Sequence, residues 1–502
     1  MARALMVQGT GSHVGKSVIV AALCRIFKRR GMSVAPFKAQ NMALNSFITP
    51  EGGEIGRAQA YQAEAAGVSP SVLMNPVLLK ANSDTGAQVI VRGRVVGNMG
   101  VREYHAYKDE AFKAVTECYH ELAGKYDLIV IEGAGSPAEI NLKDNDIVNM
   151  KTAKMAGAKV LIAADIDKGG VFASILGTME ILDPEEREMV AGFLINKFRG
   201  DASLLASGLE FVKQRTGMPV LGVIPYFSGI HIQEEDGVAL TGYRTEAGVM
   251  DDGAVDVAVL RLPHISNFTD FDPLAHEEGV RVRYIRGEDD FGRPDLLVIP
   301  GSKNTIADLL EIRESGLERK VLDYHSSGGR VVGICGGYQM MGNVIRDPHG
   351  VESDRWEARG MGILDVETTL EEGKVTSQVE AADNGVAGNS GLFGYEIHMG
   401  RTALGSGATP LFTVSGNRGG TAAYEDGAAS ADGRAWGTYM HGVFENDQFR
   451  RRILDNIRSE KGLASPPAVM EYARLKEEGF ERLADLVEKN VDMAAITTIL
   501  GI

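Results

Sequence analysis

The chain has 502 residues, 44% of them hydrophobic and 24% charged, and 52 basic against 68 acidic side chains give a net charge of −16. That length calls for roughly two to four domains with large cores, while the acidic balance and the lack of a basic tract argue against a nucleic-acid partner, and no apolar run is long enough to span a bilayer. Cys24, Cys118 and Cys335 are scattered, with neither a disulfide framework nor metal-ligand spacing, and the first residues enter a strand without an export leader, so a cytoplasmic protein is expected.

In chain order, short β-branched runs at 4–8, 33–37, 126–132, 159–164, 191–196 and 219–225 alternate with helix-compatible stretches at 17–30, 103–122 and 203–216. Buried-type strands separated by helices imply a doubly wound, mostly parallel sheet in residues 1–230. Directly after the first strand stands GTGSHVGKS, residues 9–17. Glycine-rich backbone N–H groups, with Gly11 and Gly15 inside the loop, can wrap phosphates. Lys16 can reach the outer phosphates and the Ser17 hydroxyl can ligate magnesium. The rival reading is a dinucleotide site, which needs an acid at the end of the second strand to hold a ribose. That position supplies Lys38 instead, which favours ATP with Mg2+. YDLIVIEGAGS, residues 126–136, then ends a strand in Glu132 at the carboxyl edge of the sheet, where a magnesium ligand is needed. Asp165 and Asp167 are either loop carboxylates or contacts to nucleotide or acceptor.

Residues 231–253 are rich in Glu, Asp, Gly and Thr without periodicity and read as a linker. A second α/β series over residues 254–460 starts with strands at 255–262, 280–285, 296–300 and 331–335, and continues with antiparallel-looking strands at 360–368 and 391–401. Residues 461–502 read as a helical tail, clearest at 473–487. Within the second series, VVGICGGYQMMG, residues 331–342, is a strand running into a cysteine between glycines and then a helix. Small residues permit the sharp strand-to-helix turn that exposes Cys335 as a nucleophile at a helix N-terminus, where thiolate is favoured. LVIPGSKNT, residues 297–305, supplies a Pro-Gly-Ser turn able to offer N–H groups to an oxyanion.

These motifs resemble known families. The elbow around Cys335 is similar to the nucleophile turn of class I, triad glutamine amidotransferases, and TYMHGVFEN places His441 where that family keeps its base. The family's glutamate two residues later is replaced by Val443, so two triad members carry over and Glu445 is the candidate substitute. The loop GTGSHVGKS resembles that of dethiobiotin synthetase-like enzymes, which implies a second metal-binding carboxylate at Glu54, and Asn196 and Lys197, after the strand AGFLIN, sit where P-loop relatives contact the nucleotide base. The two-domain order, with FKAQNMALNS, EIGRAQA, PHISNFTDFDPL and GYEIHMGRT, resembles the cobyrinate and cobyrate amidases of cobalamin biosynthesis. The resemblance implies an enzyme that takes ammonia from glutamine and uses ATP to turn carboxylates of a corrinoid into amides through acyl phosphates. Asn267, Asp270, Asp272 and His398 are then either scaffold or substrate contacts. Two alternatives share these motifs: an amidase for another polycarboxylate, and a P-loop switch ATPase carrying a decayed glutaminase as a binding module. Homo-oligomerisation is left open.

Overall fold

The computed structural model describes residues 2–82, 86–230, 233, 253–353, 355–385, 391–415 and 423–502. Most of the expected linker lies outside the described residues.

The first half is built on six parallel strands in the order Val220–Pro225, Val190–Phe198, Lys159–Asp165, Arg3–Gly9, Leu128–Glu132 and Val34–Phe37. LIVIE of Leu128–Glu132 is buried at every position, as a strand covered on both faces must be. One face packs on helix Val101–Ala123 and the other on helix Lys16–Arg29. The loop between Arg3–Gly9 and Lys16–Arg29 lies at the carboxyl end of a central strand. Ligands of doubly wound sheets bind there. Beside this sheet stands a smaller one, Gln40–Met42, Val77–Ala81, Gly86–Val91 and Arg94–Gly100, that the sequence reading did not anticipate.

The second half has a sheet ordered Val280–Ile285, Val255–Leu260, Leu296–Ile299, Val331–Ile334, Ala435–Thr438, Ala428–Ser430 and Ala408–Thr409. Its first five strands are parallel. A long antiparallel ribbon, Val366–Asp383 with Gly391–Leu404, forms a second layer. The strand expected at 360–368 starts only at Val366. Gly360 presses against the Gly342 carbonyl, and the N–H groups of Met361, Gly362 and Ile363 bond back to Met340, Gly342 and Met341, which curls this stretch around the preceding helix.

The tail region is helical over Tyr472–Asn490 and Met493–Leu500, and it returns to the first half. Phe480, Leu483, Val487, Ile496 and Leu500 share one core with Ile19, Leu23 and Ile26 of helix Lys16–Arg29. Each such side chain contributes about 1.5–3 kcal/mol by leaving water. Arg25, 3% exposed, pairs with Glu477 at 2.8 Å and Glu481 at 3.3 Å across the same contact.

Candidate active site

Strand Val331–Ile334 delivers Cys335 at φ 52°, outside the conformations ordinary residues prefer, before the short helix Gly336–Met341. The flanking glycines are required by contact: a Cβ on Gly337 would lie 1.9 Å from the Ile299 carbonyl oxygen, and one on Gly336 2.9 Å from the Ser302 nitrogen. The Pro-Gly-Ser turn expected to serve an oxyanion therefore lies against the elbow. Burial pushes the Cys24 and Cys118 thiols up, Cys118 to about 11, so neither is poised as a nucleophile.

His441, 1% exposed, stacks on Tyr395 at 5.3 Å and interacts with Cys335 through its side chain. Its Nδ1 lies 2.6 Å from Asp270 Oδ2, and Asp270 Oδ1 accepts the Gly442 N–H at 3.0 Å. Asp270, and not Glu445, thus stands beside His441 where the third residue of a triad is expected. Glu445 instead meets Arg57 at 3.3 Å and Lys476 at 3.2 Å. Burial opposes a charged His441, but the Asp270 carboxylate and Cys335 outweigh it and hold the imidazole pKa up at about 10. Asp270 sits on the turn Phe268–Phe271 that follows Asn267, itself at φ 52°. Asn267 Oδ1 accepts the Ser46 N–H at 2.9 Å and Asn45 Oδ1 accepts the Phe268 N–H at 3.2 Å, so the first half holds the loop that carries Asp270.

In the first half, Ser17 Oγ donates to Glu132 Oε1 at 2.8 Å, Lys38 Nζ approaches the same oxygen at 2.9 Å, and Gln62 Nε2 donates to Oε2 at 2.5 Å. Lys16 Nζ bonds the carbonyls of Gly11 at 2.9 Å and Gly135 at 3.0 Å, which places its ammonium across the loop mouth. Gly15 has φ 96°, and a Cβ on it would come within 2.2 Å of Asn196 Nδ2. Asn196 donates that amide to the Val14 carbonyl at 2.9 Å, so here it braces the loop. Lys197 bonds the His13 carbonyl at 2.6 Å and Asp165 at 2.9 Å, and Arg199 pairs with Asp167 at 3.0 Å. A cavity of about 620 Å³ joins Lys16, Ser17, Lys38, Glu132, Asn196 and Tyr226.

Glu54 is not brought to this cavity. It is 1% exposed and clamped by Lys80 at 3.0 Å and Lys374 at 2.5 Å, where the ribbon of the second half meets the hairpin of Ser46–Ile48 and Glu54–Gly56. The hairpin's tight contacts draw the carboxylate to the interdomain face: Thr376 Oγ1 donates to the Gly52 carbonyl at 2.8 Å and Gln378 Nε2 to that of Ile48 at 2.9 Å. Among the described residues no helix is long and apolar enough to cross a membrane.

Comparison with known proteins matches one family model to each half. Residues 5–240 match the CobQ/CobB/MinD/ParA nucleotide binding domain, and residues 256–449 the CobB/CobQ-like glutamine amidotransferase domain. The cobyric acid synthase of Syntrophobacter fumaroxidans is 51% identical over 511 aligned residues, covering 100% of this chain and 99% of that protein. Those of Moorella thermoacetica and Dehalococcoides mccartyi CBDB1 are 49% and 50% identical, covering 100% of this chain and 98% and 99% of theirs. An α/β chain with a nucleotide loop in one half, a cysteine elbow in the other and such identity across its length belongs to the cobyric acid synthase family.

Proposed function

We propose that the protein is an ATP- and glutamine-dependent ligase that converts the b, d, e and g side-chain carboxylates of adenosylcobyrinic acid a,c-diamide into amides, giving adenosylcobyric acid. The observation that carries this reading is the hydrogen bond of Asp270 to His441 beside Cys335, because it equips the second half for hydrolysis rather than for binding alone. The decayed-glutaminase alternative shares GTGSHVGKS and is consistent with Val443, but the Asp270 carboxylate against His441 supports a working base instead.

In the second half, Cys335 Sγ attacks the glutamine carboxamide carbon while His441 Nε2 holds the thiol proton, and the same imidazolium delivers a proton to the departing ammonia. Water then cleaves the thioester, giving up a proton to His441 and releasing glutamate. In the first half the acceptor carboxylate takes the terminal phosphoryl group of ATP, and ammonia displaces phosphate from the acyl phosphate to leave the amide. Lys16 offsets the charge on the transferred group. Mg2+ would neutralise phosphate charge. Ser17 and Glu132 would hold it, and a site of one hydroxyl and one carboxylate fits an ion that keeps phosphate and water as its remaining ligands.

The test is incubation with ATP, magnesium, glutamine and the a,c-diamide, following amide formation by mass and glutamate release. Four amides per acceptor with stoichiometric glutamate are expected. Ready amidation of an unrelated polycarboxylate with the corrinoid untouched would overturn the substrate assignment.

A further inference from the structure

The pocket in front of Cys335 holds more charge than amide cleavage requires. It is lined by Lys303, Glu352 and Lys374 together with Asn267, Gln339 and His398. Lys374 and the neighbouring Lys80 are both in contact with the Glu54 carboxylate. His398 carries no charge at neutral pH: its Nδ1 bonds the Gly400 carbonyl at 2.8 Å, and burial pushes its pKa down to about 4. That leaves Lys303, which is 9% exposed and, among the described residues, has neither a side-chain hydrogen bond nor an ion pair. Burial pushes its pKa down, and Glu352 is the leading opposing influence.

Glu352 is aimed into the pocket by a rigid turn. Asp347 accepts the N–H groups of Val351 at 2.7 Å and of Glu352 and Ser353 at 2.9 Å, and Glu352 Oε2 accepts the Thr305 N–H at 2.9 Å. The residue keeps some exposure, yet its carboxylate is enclosed by protein, and burial pushes its pKa up against the pull of Lys303. The third element is Asn267, 1% exposed, whose Oδ1 is held by Ser46 while its Nδ2 has no partner among the described residues. A desolvated cation, a desolvated carboxylate and an unmet amide donor in one small pocket are each costly until a ligand brings the matching groups. One ligand chemistry matches all three: a head group with an ammonium and a carboxylate on the same carbon.

Building on the glutaminase reading above, we propose that Glu352 binds the α-ammonium group of glutamine while Lys303 and Asn267 bind its α-carboxylate, so that these side chains select for an α-amino acid. The selection is independent of the chemistry at Cys335, which acts at the far end of the substrate.

The experiment compares kcat/KM for ammonia release from L-glutamine, from glutaramate, which lacks the α-amino group, and from 4-aminobutanamide, which lacks the α-carboxylate. Wild type should prefer glutamine over either analogue by roughly 100-fold or more. Glu352→Gln should lose activity on glutamine through KM, keep its activity on glutaramate, and so shrink that preference to within about tenfold. Lys303→Met should do the same for 4-aminobutanamide. Amidation with ammonium salts, unchanged in both variants, reports that the fold is intact. Undiminished discrimination in Glu352→Gln would overturn the assignment, as would equal losses on glutamine and glutaramate with ammonium-dependent amidation intact. Should Glu352→Gln fail to fold, the Lys303→Met comparison decides. Wild type that releases ammonia from none of the three would overturn the glutaminase reading, and this assignment with it.

Discussion

Replacing Asp270 by Asn keeps the shape of the side chain but removes the charge that faces His441. Two effects follow. The imidazolium loses its partner at 2.6 Å, and an amide nitrogen turned towards Nδ1 would force the ring proton onto Nε2, the atom that must accept from Cys335. The rise of the His441 pKa from 6.5 to about 10 corresponds to roughly 5 kcal/mol at 1.36 kcal/mol per unit. That figure is the net of burial, which opposes the charge, against Asp270 and Cys335, which favour it together. We expect glutamine hydrolysis to fall by about 10³- to 10⁴-fold in kcat. A raised folded pKa means that the stabilisation is complete below about 6.5 and is lost as pH climbs through about 10. The stability gap between wild type and Asp270→Asn should therefore narrow from pH 7 to 10. In the variant, burial governs, and the upper limb of the glutaminase pH profile should move to lower pH. Glutamate release is the assay, with amidation from ammonium salts as the control for the other half. Glu445→Gln should leave hydrolysis near the wild-type rate. An Asp270→Asn enzyme within tenfold of wild type, or an equal collapse in Glu445→Gln, would refute the triad as drawn.

Cys335→Ser should abolish amidation from glutamine while sparing amidation from ammonium salts, measured side by side as product formed. Lys16→Ala should suppress amidation from either nitrogen source by about 2–4 kcal/mol in transition-state terms, read as kcat/KM, with glutamine hydrolysis less affected. Arg450→Met should destabilise the second half by about 3–5 kcal/mol in urea unfolding, because it strands Glu277, which is 5% exposed and lies 2.7 Å from the guanidinium.

The legible parts of this protein are those written locally. The six strands of the first sheet announce themselves as buried runs, and GTGSHVGKS and GICGG carry their chemistry within a few residues. Asp270 was not legible as a triad member because it lies 171 positions from His441 and reaches it only through a turn set by Asn267 in a left-handed conformation. The hint available in PHISNFTDFDPL was an acid embedded among side chains that the fold buries, and nothing in spacing assigns it to a histidine. Glu54 was placed by analogy of loop position, but the ribbon of the second half supplies Lys374 and turns that carboxylate to the interface. The sheet containing Val77–Ala81 and Arg94–Gly100 escaped notice because the buried run of the first strand is interrupted in sequence by Lys80, and the second strand is largely exposed without alternation.

The return of helix Tyr472–Asn490 to helix Lys16–Arg29 also sets an order of events during synthesis. Arg25 emerges early, whereas its partner Glu481 follows 456 residues later. At translation speeds of about 5–20 residues per second this interval is roughly 20–90 seconds. Throughout it, Ile19, Leu23 and Ile26 lack the cover that Leu483 and Val487 later provide. The first half is then a sticky intermediate awaiting its last piece. Cutting the chain at the 231–253 segment and producing the halves apart would leave that surface open. Joining residues 472–500 directly to the first half should close it, and would let the nucleotide-binding half mature without the glutaminase half ever being made.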